Sequence, residues 1–200
     1  MEERNQTLPD DYSSFVLPTL LAGLNPPPKR TVLDLGPASG ENVDQLAIHA
    51  KSRCKLYIAN FFEDLSEAGP GARKNAKTFG ATCGRLLEFP AEESFDLILA
   101  WDLFNYLALD EVEVLVGHLS RLTKSGTRLM AMVSIYRQIP DRPFRFLIRG
   151  SDSLRYETVS RGLRDSPRHK EIDLVKRMAG FKVERAMLLR NGIQEYSFVR

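Results

Sequence analysis

A short run of acidic and small residues, Asp34-Leu35-Gly36-Pro37-Ala38-Ser39-Gly40, is the part of the chain best suited to bind a ligand. Small residues let a backbone turn tightly and approach a ligand closely. A predicted helix follows, and its first N–H groups have no partner within the helix and point toward the same place. The arrangement is typical of nucleotide sites, although a purely structural turn can have the same composition.

Alternating strands and helices must position this loop. Apolar, β-branched runs predict strands, and apolar residues at helical spacing predict helices. The predicted strands are Thr31–Leu35, Cys54–Ala59, Arg85–Phe89, Phe95–Trp101, Thr127–Ile135, Lys182–Leu188 and Glu195–Val199, and the predicted helices are Val43–Ala50, Asp110–Thr123 and Lys170–Ala179. Asn191-Gly192 separates the last two strands and is a strong hairpin signal. The pattern predicts a three-layer α/β/α sandwich with a mostly parallel, seven-stranded sheet that ends in an antiparallel hairpin.

Composition narrows the function classes. The 200 residues make about one domain, and 28 Lys+Arg against 26 Asp+Glu give a net charge of +2, so nucleic-acid binding is unlikely on charge alone but is not excluded. The two cysteines exclude a disulfide scaffold or a Cys-rich zinc site, and the three scattered histidines predict no metal centre. No secretory signal and no apolar stretch of roughly 20 residues is found, which predicts a cytoplasmic protein without a membrane span. The oligomeric state is left open.

Four segments, in order, resemble the class I S-adenosylmethionine (SAM)-dependent methyltransferases. They are the strand TVLDL with its Gly-rich loop, FDLILAWDLFNYL, LTKSGTRLMAMV and MAGFKVE. In the loop, the acidic residue and the small residues at alternate positions carry the likeness. The resemblance covers residues 31–200 and implies a Rossmann-like methyltransferase fold, an enzyme with SAM as cofactor, and methyl transfer to an unidentified small or anionic acceptor.

The resemblance also implies roles for individual residues. The implied cofactor-binding residues are Asp34, Gly36, Ala38 and Gly40 in the loop, Asn60 and Phe61 beside the ribose and adenine, Glu88 at the adenine edge, and Trp101 and Asp102 beside the sulfonium. If the acceptor is a hydroxyl or an amine, a proton must leave, and Asp102 and Tyr106 are the nearest candidates for a catalytic base. Asp102 could equally be the N-cap of the next helix, and Asn105 and Tyr106 could equally only pack there.

One departure from the family pattern keeps other functions open. The family usually ends its second strand with a carboxylate that accepts hydrogen bonds from the ribose, and Asn60 stands there in this chain. A methyltransferase-like binding or interaction protein without catalysis is therefore the alternative. A nucleotide-binding oxidoreductase fits less well, because the loop lacks the Gly-x-Gly-x-x-Gly spacing of dinucleotide sites.

Two further segments are expected to border the site. Residues 1–28 are predicted to be a tail with a short helix, and its part Ser13–Leu24 is expected to cover the cofactor crevice. The resemblance implies that residues 29–200 form the methyltransferase-like domain. Within it, the arginine-rich residues 137–168 are expected to be an insertion on the acceptor side, since arginine interleaved with aromatic residues suits an anionic acceptor.

Overall fold

The computed structural model of the protein describes residues 11–25 and 29–200, so most of the predicted tail, residues 1–10, and the proline run 26–28 lie outside it. The helices are α1 (Leu17–Ala22), α2 (Gly40–His49), α3 (Phe61–Glu67), α4 (Ala76–Leu86), α5 (Leu109–Ser120) and α6 (Glu171–Arg177). The strands are β1 (Asp11–Ser13), β2 (Arg30–Asp34), β3 (Cys54–Ile58), β4 (Phe95–Leu99), β5 (Thr123–Ser134), β6 (Gln138–Pro140), β7 (Arg145–Ile148), β8 (Ser153–Glu157), β9 (Leu163–Asp165), β10 (Lys182–Leu188) and β11 (Ile193–Val199). Among the described residues, no helix has both the length and the apolar character needed to cross a bilayer.

The main sheet has six strands in the order β10-β11-β5-β4-β2-β3. Strands β3, β2, β4 and β5 are parallel to their neighbours, and the terminal hairpin joins β5 with β11 antiparallel. Because β10 is antiparallel to β11, it runs in the direction of β5. The predicted α/β fold and the C-terminal antiparallel hairpin are confirmed, whereas the sheet is a mixed one of six strands rather than a mostly parallel one of seven.

The prediction of a strand at Arg85–Phe89 is wrong. Helix α4 continues to Leu86 because Asn75 caps its first turn and Phe79 and Cys83, four residues apart, are both buried in the core. The following residues form a loop that leads into β4, and the ring of Phe89 contacts the ring of Phe95 at 5.0 Å. Only six of the predicted strands therefore enter the sheet.

Helices and a small second sheet cover the two faces of the main sheet. Helices α3 to α6 pack on the face that carries Leu33 and Ile98, while α1 and α2 pack on the face that carries Val32 and Leu97. Neighbouring residues of one strand point to opposite faces, as the period of two requires. The three layers predicted from the sequence are thus present.

The segment 137–168, which we call the insertion, contains four short strands. Strand β6 pairs with β9, and β7 pairs with β8. Strand β1 pairs antiparallel with β8, so the described N-terminal residues form one small sheet with the insertion. Helix α1 packs with α2 on one face of the main sheet, so the expectation that Ser13–Leu24 covers the crevice is wrong.

Candidate ligand site at the carboxyl ends of the strands

A cavity of about 220 Å³ lies where the strand order reverses, next to the ends of β2, β3 and β4. The chain passes from β2 to β3 on one side of β2 and to β4 and β5 on the other, and open α/β sheets bind ligands at such a switch point. The cavity is lined by Leu35, Gly36, Pro37, Asn60, Phe62, Glu63, Ala100, Trp101, Asp102, Leu103, Arg142, Pro143, Phe144, Arg145 and Val159. Its wall therefore combines three strand ends with the insertion.

Asp34 and Trp101 form a buried pair behind the cavity. The Trp101 Nε1–H donates to Asp34 Oδ1 at 2.6 Å, and the Gly36 N–H donates to the same oxygen at 2.9 Å. Burial raises the pKa of Asp34 to about 6, and these two donors partly oppose that shift. Asp34 therefore fixes the turn after β2 and the orientation of the indole.

Asp102 is the buried acidic group of the cavity wall. Its Oδ2 accepts a hydrogen bond from the Phe144 N–H at 3.1 Å, whereas no described residue donates to its buried Oδ1. Burial raises the pKa of Asp102 to about 7. A carboxylate with a vacant acceptor and a pKa near neutrality can take up and release a proton under ordinary conditions.

The opposite side of the cavity is polar and more exposed. Asn60 lies between β3 and α3 at the N-cap of the helix, and Phe62 and Glu63 belong to the first turn of α3. Arg142 Nη1 donates to Glu63 Oε1 at 3.1 Å, and both side chains are at least one-third exposed. Because both line the cavity, this ion pair joins the insertion to α3 across the cavity mouth.

Gly36, Asn60, Trp101 and Asp102 are the sequence-predicted residues that line the cavity. Ala38 and Gly40 do not line it; both are exposed, and nothing lies within 4 Å of a Cβ placed on Gly40. The loop therefore turns away from the cavity after Pro37.

Three other predicted residues lie elsewhere. Phe61 is fully buried in the core under α3, and its neighbour Phe62 lines the cavity in its place. The Tyr106 hydroxyl donates to the carbonyl oxygen of Arg142 at 2.8 Å, and Tyr106 does not line the cavity. Glu88 is exposed in the loop before β4, at the opposite end of that strand, because the strand expected to end there is part of α4.

Sequence reasoning missed the anchor that holds the insertion over α2. Buried Asn42 donates from Nδ2 to the Phe146 carbonyl at 2.9 Å and accepts from the Ile148 N–H at 2.8 Å. The side-chain amide of Asn42 therefore makes the same pair of hydrogen bonds to the backbone of β7 that a neighbouring strand would make. An asparagine in the first turn of a helix is so common that no sequence signal marked it.

Comparisons with solved structures find likenesses over nearly the whole chain. The magnesium protoporphyrin IX methyltransferase of Synechocystis PCC 6803 with bound SAM has 17% identity and a TM-score of 0.46, over 92% of this chain and 76% of that chain. A SAM-dependent methyltransferase of Clostridium acetobutylicum ATCC 824 has 12% identity and a TM-score of 0.47, over 90% and 91%. DesVI of Streptomyces venezuelae has 12% identity and a TM-score of 0.48, over 92% and 90%.

No protein-family model matches the chain, and no curated protein matches it. With identities this low, the function has to be argued from the residues of the chain's own site.

Proposed function

We propose that the protein binds SAM in the cavity and transfers its methyl group to a small or anionic acceptor. The observation that carries this proposal is the buried, unpartnered Oδ1 of Asp102 in a cavity at the switch point of the sheet. An unpaired buried acceptor is costly unless a bound molecule supplies a donor. A ligand with N–H or O–H groups is therefore the occupant that the site favours.

The chain's residues fit the nucleoside part of this cofactor. The side-chain oxygens of Asn60 and Glu63 can accept hydrogen bonds from ribose hydroxyls, and the Phe62 ring offers an apolar face. When bound, SAM supplies a methyl group activated by its sulfonium. The protein's task is then to align the acceptor and to exclude water, which needs no catalytic triad.

We assign to Asp102 the role of the base that receives the proton of the acceptor. A hydroxyl or amine acceptor loses a proton as its methyl group is added, and Oδ1 of Asp102 is free to receive it. Arg142 and Arg145 of the insertion also line the cavity, so their positive charge can hold an acceptor that carries a carboxylate or phosphate.

One observation favours the second candidate, a binding protein without catalysis. The cavity of about 220 Å³ is smaller than the roughly 300–1,000 Å³ typical of ligand sites. A methyl group added at Gly36 would lie 2.9 Å from Trp101 Cδ1, so the indole rests on the glycine loop. A site filled in this way would hold only part of the cofactor.

Calorimetric titration with SAM and with S-adenosylhomocysteine separates the two candidates. We expect both ligands to bind with micromolar Kd, and a labelled methyl donor to pass its label to an anionic acceptor in a screen. Binding without any methyl transfer across the screen would favour the second candidate. No binding of either ligand at millimolar concentration would contradict both.

Asn60→Asp is expected to bind SAM more tightly, by about fivefold, because hydrogen bonds to a charged acceptor are stronger than those to an amide. The measurement is the Kd of SAM for the variant and for the wild type. Asn25→Asp is the matched control, since Asn25 is exposed and does not line the cavity. Equal affinities for the two variants would show that residue 60 does not contact the ligand.

A further inference from the structure

The indole of Trp101 packs against Gly36 of the glycine loop, and both residues line the cavity. We propose that Trp101 sets the selectivity of the site, because its indole takes the place over Gly36 that the amino-acid part of SAM needs. The amino-acid part of SAM therefore binds only after the indole has left. A nucleoside that lacks this part binds beside the indole. This inference rests on the proposed function, with the nucleoside end of the ligand toward Asn60 and the other end toward the loop.

The contact between the indole and the loop is close. A Cβ at Gly36 would lie 2.9 Å from Cδ1 of Trp101, which is shorter than real Cβ contacts, and 3.1 Å from Nε1, which is a tight contact. The indole N–H also donates to Asp34 Oδ1 at 2.6 Å. With the indole in this position, the side of Gly36 on which a Cβ would stand is filled, although Gly36 still forms part of the cavity wall.

The backbone of Trp101 is held in an unfavourable conformation. Its φ is +49°, in the left-handed region where a residue with a Cβ is strained. The Met132 N–H donates to the Trp101 carbonyl at 2.7 Å, so the position of this turn relative to β5 is fixed. Such strain persists only where the surroundings hold it, so the turn that carries the indole is fixed by its neighbours.

The indole is also tied to the insertion. It stacks on the Phe146 ring with a centroid distance of 5.4 Å and an interplanar angle of 4°. Strand β7 carries Phe146 and is bound to α2 through Asn42. Departure of the indole would therefore remove a stacking partner from the wall formed by the insertion, and it would remove one of the two donors to the Oδ1 of Asp34.

Asp34 supplies the reason why a ligand with an amino group can displace the indole. Asp34 is 2% exposed, so loss of the indole N–H leaves a buried carboxylate with one donor fewer. The ammonium group of an amino-acid chain can replace that donor and adds a charge of opposite sign. A nucleoside without this chain offers no such replacement and leaves the indole in place.

Tryptophan fluorescence tests the geometry directly, because Trp101 is the only tryptophan of the chain. Gly36→Ala places a methyl group against the indole, and we expect its emission to shift to the red without ligand. Gly40→Ala is the matched control, since nothing lies within 4 Å of a Cβ there. Equal spectra for the folded variants, with folding checked by circular dichroism, would overturn the proposal.

Two ligands that differ in the amino-acid chain test the selectivity. S-adenosylhomocysteine has the chain, and 5′-methylthioadenosine lacks it. In the wild type, the first should shift the Trp101 emission to the red and the second should not. In Trp101→Gly, a residue that suits a positive φ, we expect the Kd of S-adenosylhomocysteine to fall about tenfold and that of methylthioadenosine to stay within twofold.

The outcomes separate this inference from the proposed function. If both ligands bind and Trp101→Gly changes their affinities equally, or weakens only S-adenosylhomocysteine, the inference is wrong and the proposed site stands. If both ligands bind the wild type and Trp101→Gly tightens the binding of S-adenosylhomocysteine alone, the inference is supported. If neither protein binds either ligand at millimolar concentration, the proposed function itself is overturned.

Discussion

Asp102→Asn is expected to make the protein more stable at pH 8 and to abolish methyl transfer. The Asp102 carboxylate is buried, and its Oδ1 has no partner among the described residues. The amide keeps an oxygen that can accept from the Phe144 N–H, as Oδ2 of Asp102 does at 3.1 Å. The substitution therefore removes a buried charge but retains the hydrogen bond, and it leaves no group that can accept the acceptor's proton.

The sign of the effect follows from the pKa of Asp102, which burial raises to about 7, against roughly 3.9 in an unfolded chain. Between pH 4 and 7 the folded protein holds a proton that the unfolded chain has lost, so the free energy of unfolding falls as the pH rises. Above pH 7 Asp102 is ionised in the folded protein as well, so the full free-energy cost of burying its charge is present. We expect the variant to gain about 2–4 kcal/mol at pH 8 and much less at pH 5.

Urea unfolding of both proteins at pH 5 and pH 8 measures this difference. Asp34, whose pKa burial raises to about 6, acts in the same direction, while His118, whose pKa burial lowers, acts in the opposite one. Both are present in wild type and variant, so the comparison isolates Asp102. Asp44→Asn is the control at an exposed carboxylate. A variant that is less stable at pH 8 would show that the ionised Asp102 has a partner in the folded protein.

Methyl transfer by the wild type should rise with pH through pH 7 and level off above about pH 8. The base acts only when Asp102 is ionised, and its pKa of about 7 sets the midpoint of the rise. The pH profile of kcat/KM measures this. A rate that is flat from pH 5.5 to 8.5 would remove Asp102 from the proton transfer.

The sequence was sufficient to predict the strands that carry the site, because their signals are local. Apolar runs located β2, β3 and β4, and the switch point then follows from the topology of alternating strands and helices. The loop after β2 and the residues after β4 accordingly both line the cavity, through Gly36 and Asp102, and their roles in cofactor binding and catalysis stay predictions. Strand periodicity and the position of strand ends are properties that a single chain segment determines.

Predictions that depended on one residue of register or on distant contacts failed. Phe61 and Phe62 are adjacent in the first turn of α3, and only the phase of that helix decides which ring enters the core. Glu88 was assigned to a strand end because its neighbours are apolar, but the capped helix α4 continued further. The indole of Trp101 lies on Gly36 through contacts with Asp34 and Phe146, which no local pattern encodes.

Asn105→Ala is expected to lower the free energy of unfolding by about 3 kcal/mol, because buried groups that lose their partners cost about 1–3 kcal/mol each. The Asn105 Nδ2 donates to the carbonyl of Asp102 at 3.0 Å and to that of Met132 at 3.1 Å, and its Oδ1 accepts from the Ser134 N–H at 2.9 Å. The side chain therefore ties the turn after β4 to the end of β5. This holds the backbone of Asp102 in place.

Two further variants identify which of these bonds matter. Asn105→Asp keeps an acceptor for the Ser134 N–H but places a carboxylate against two carbonyl oxygens, so it should be at least as unstable as Asn105→Ala. Asn25→Ala, at an exposed asparagine, should change the stability by less than about 0.5 kcal/mol. Urea unfolding measures all three. A loss below 1 kcal/mol for Asn105→Ala would mean that water replaces the amide, and the Asp102 backbone would then need another support.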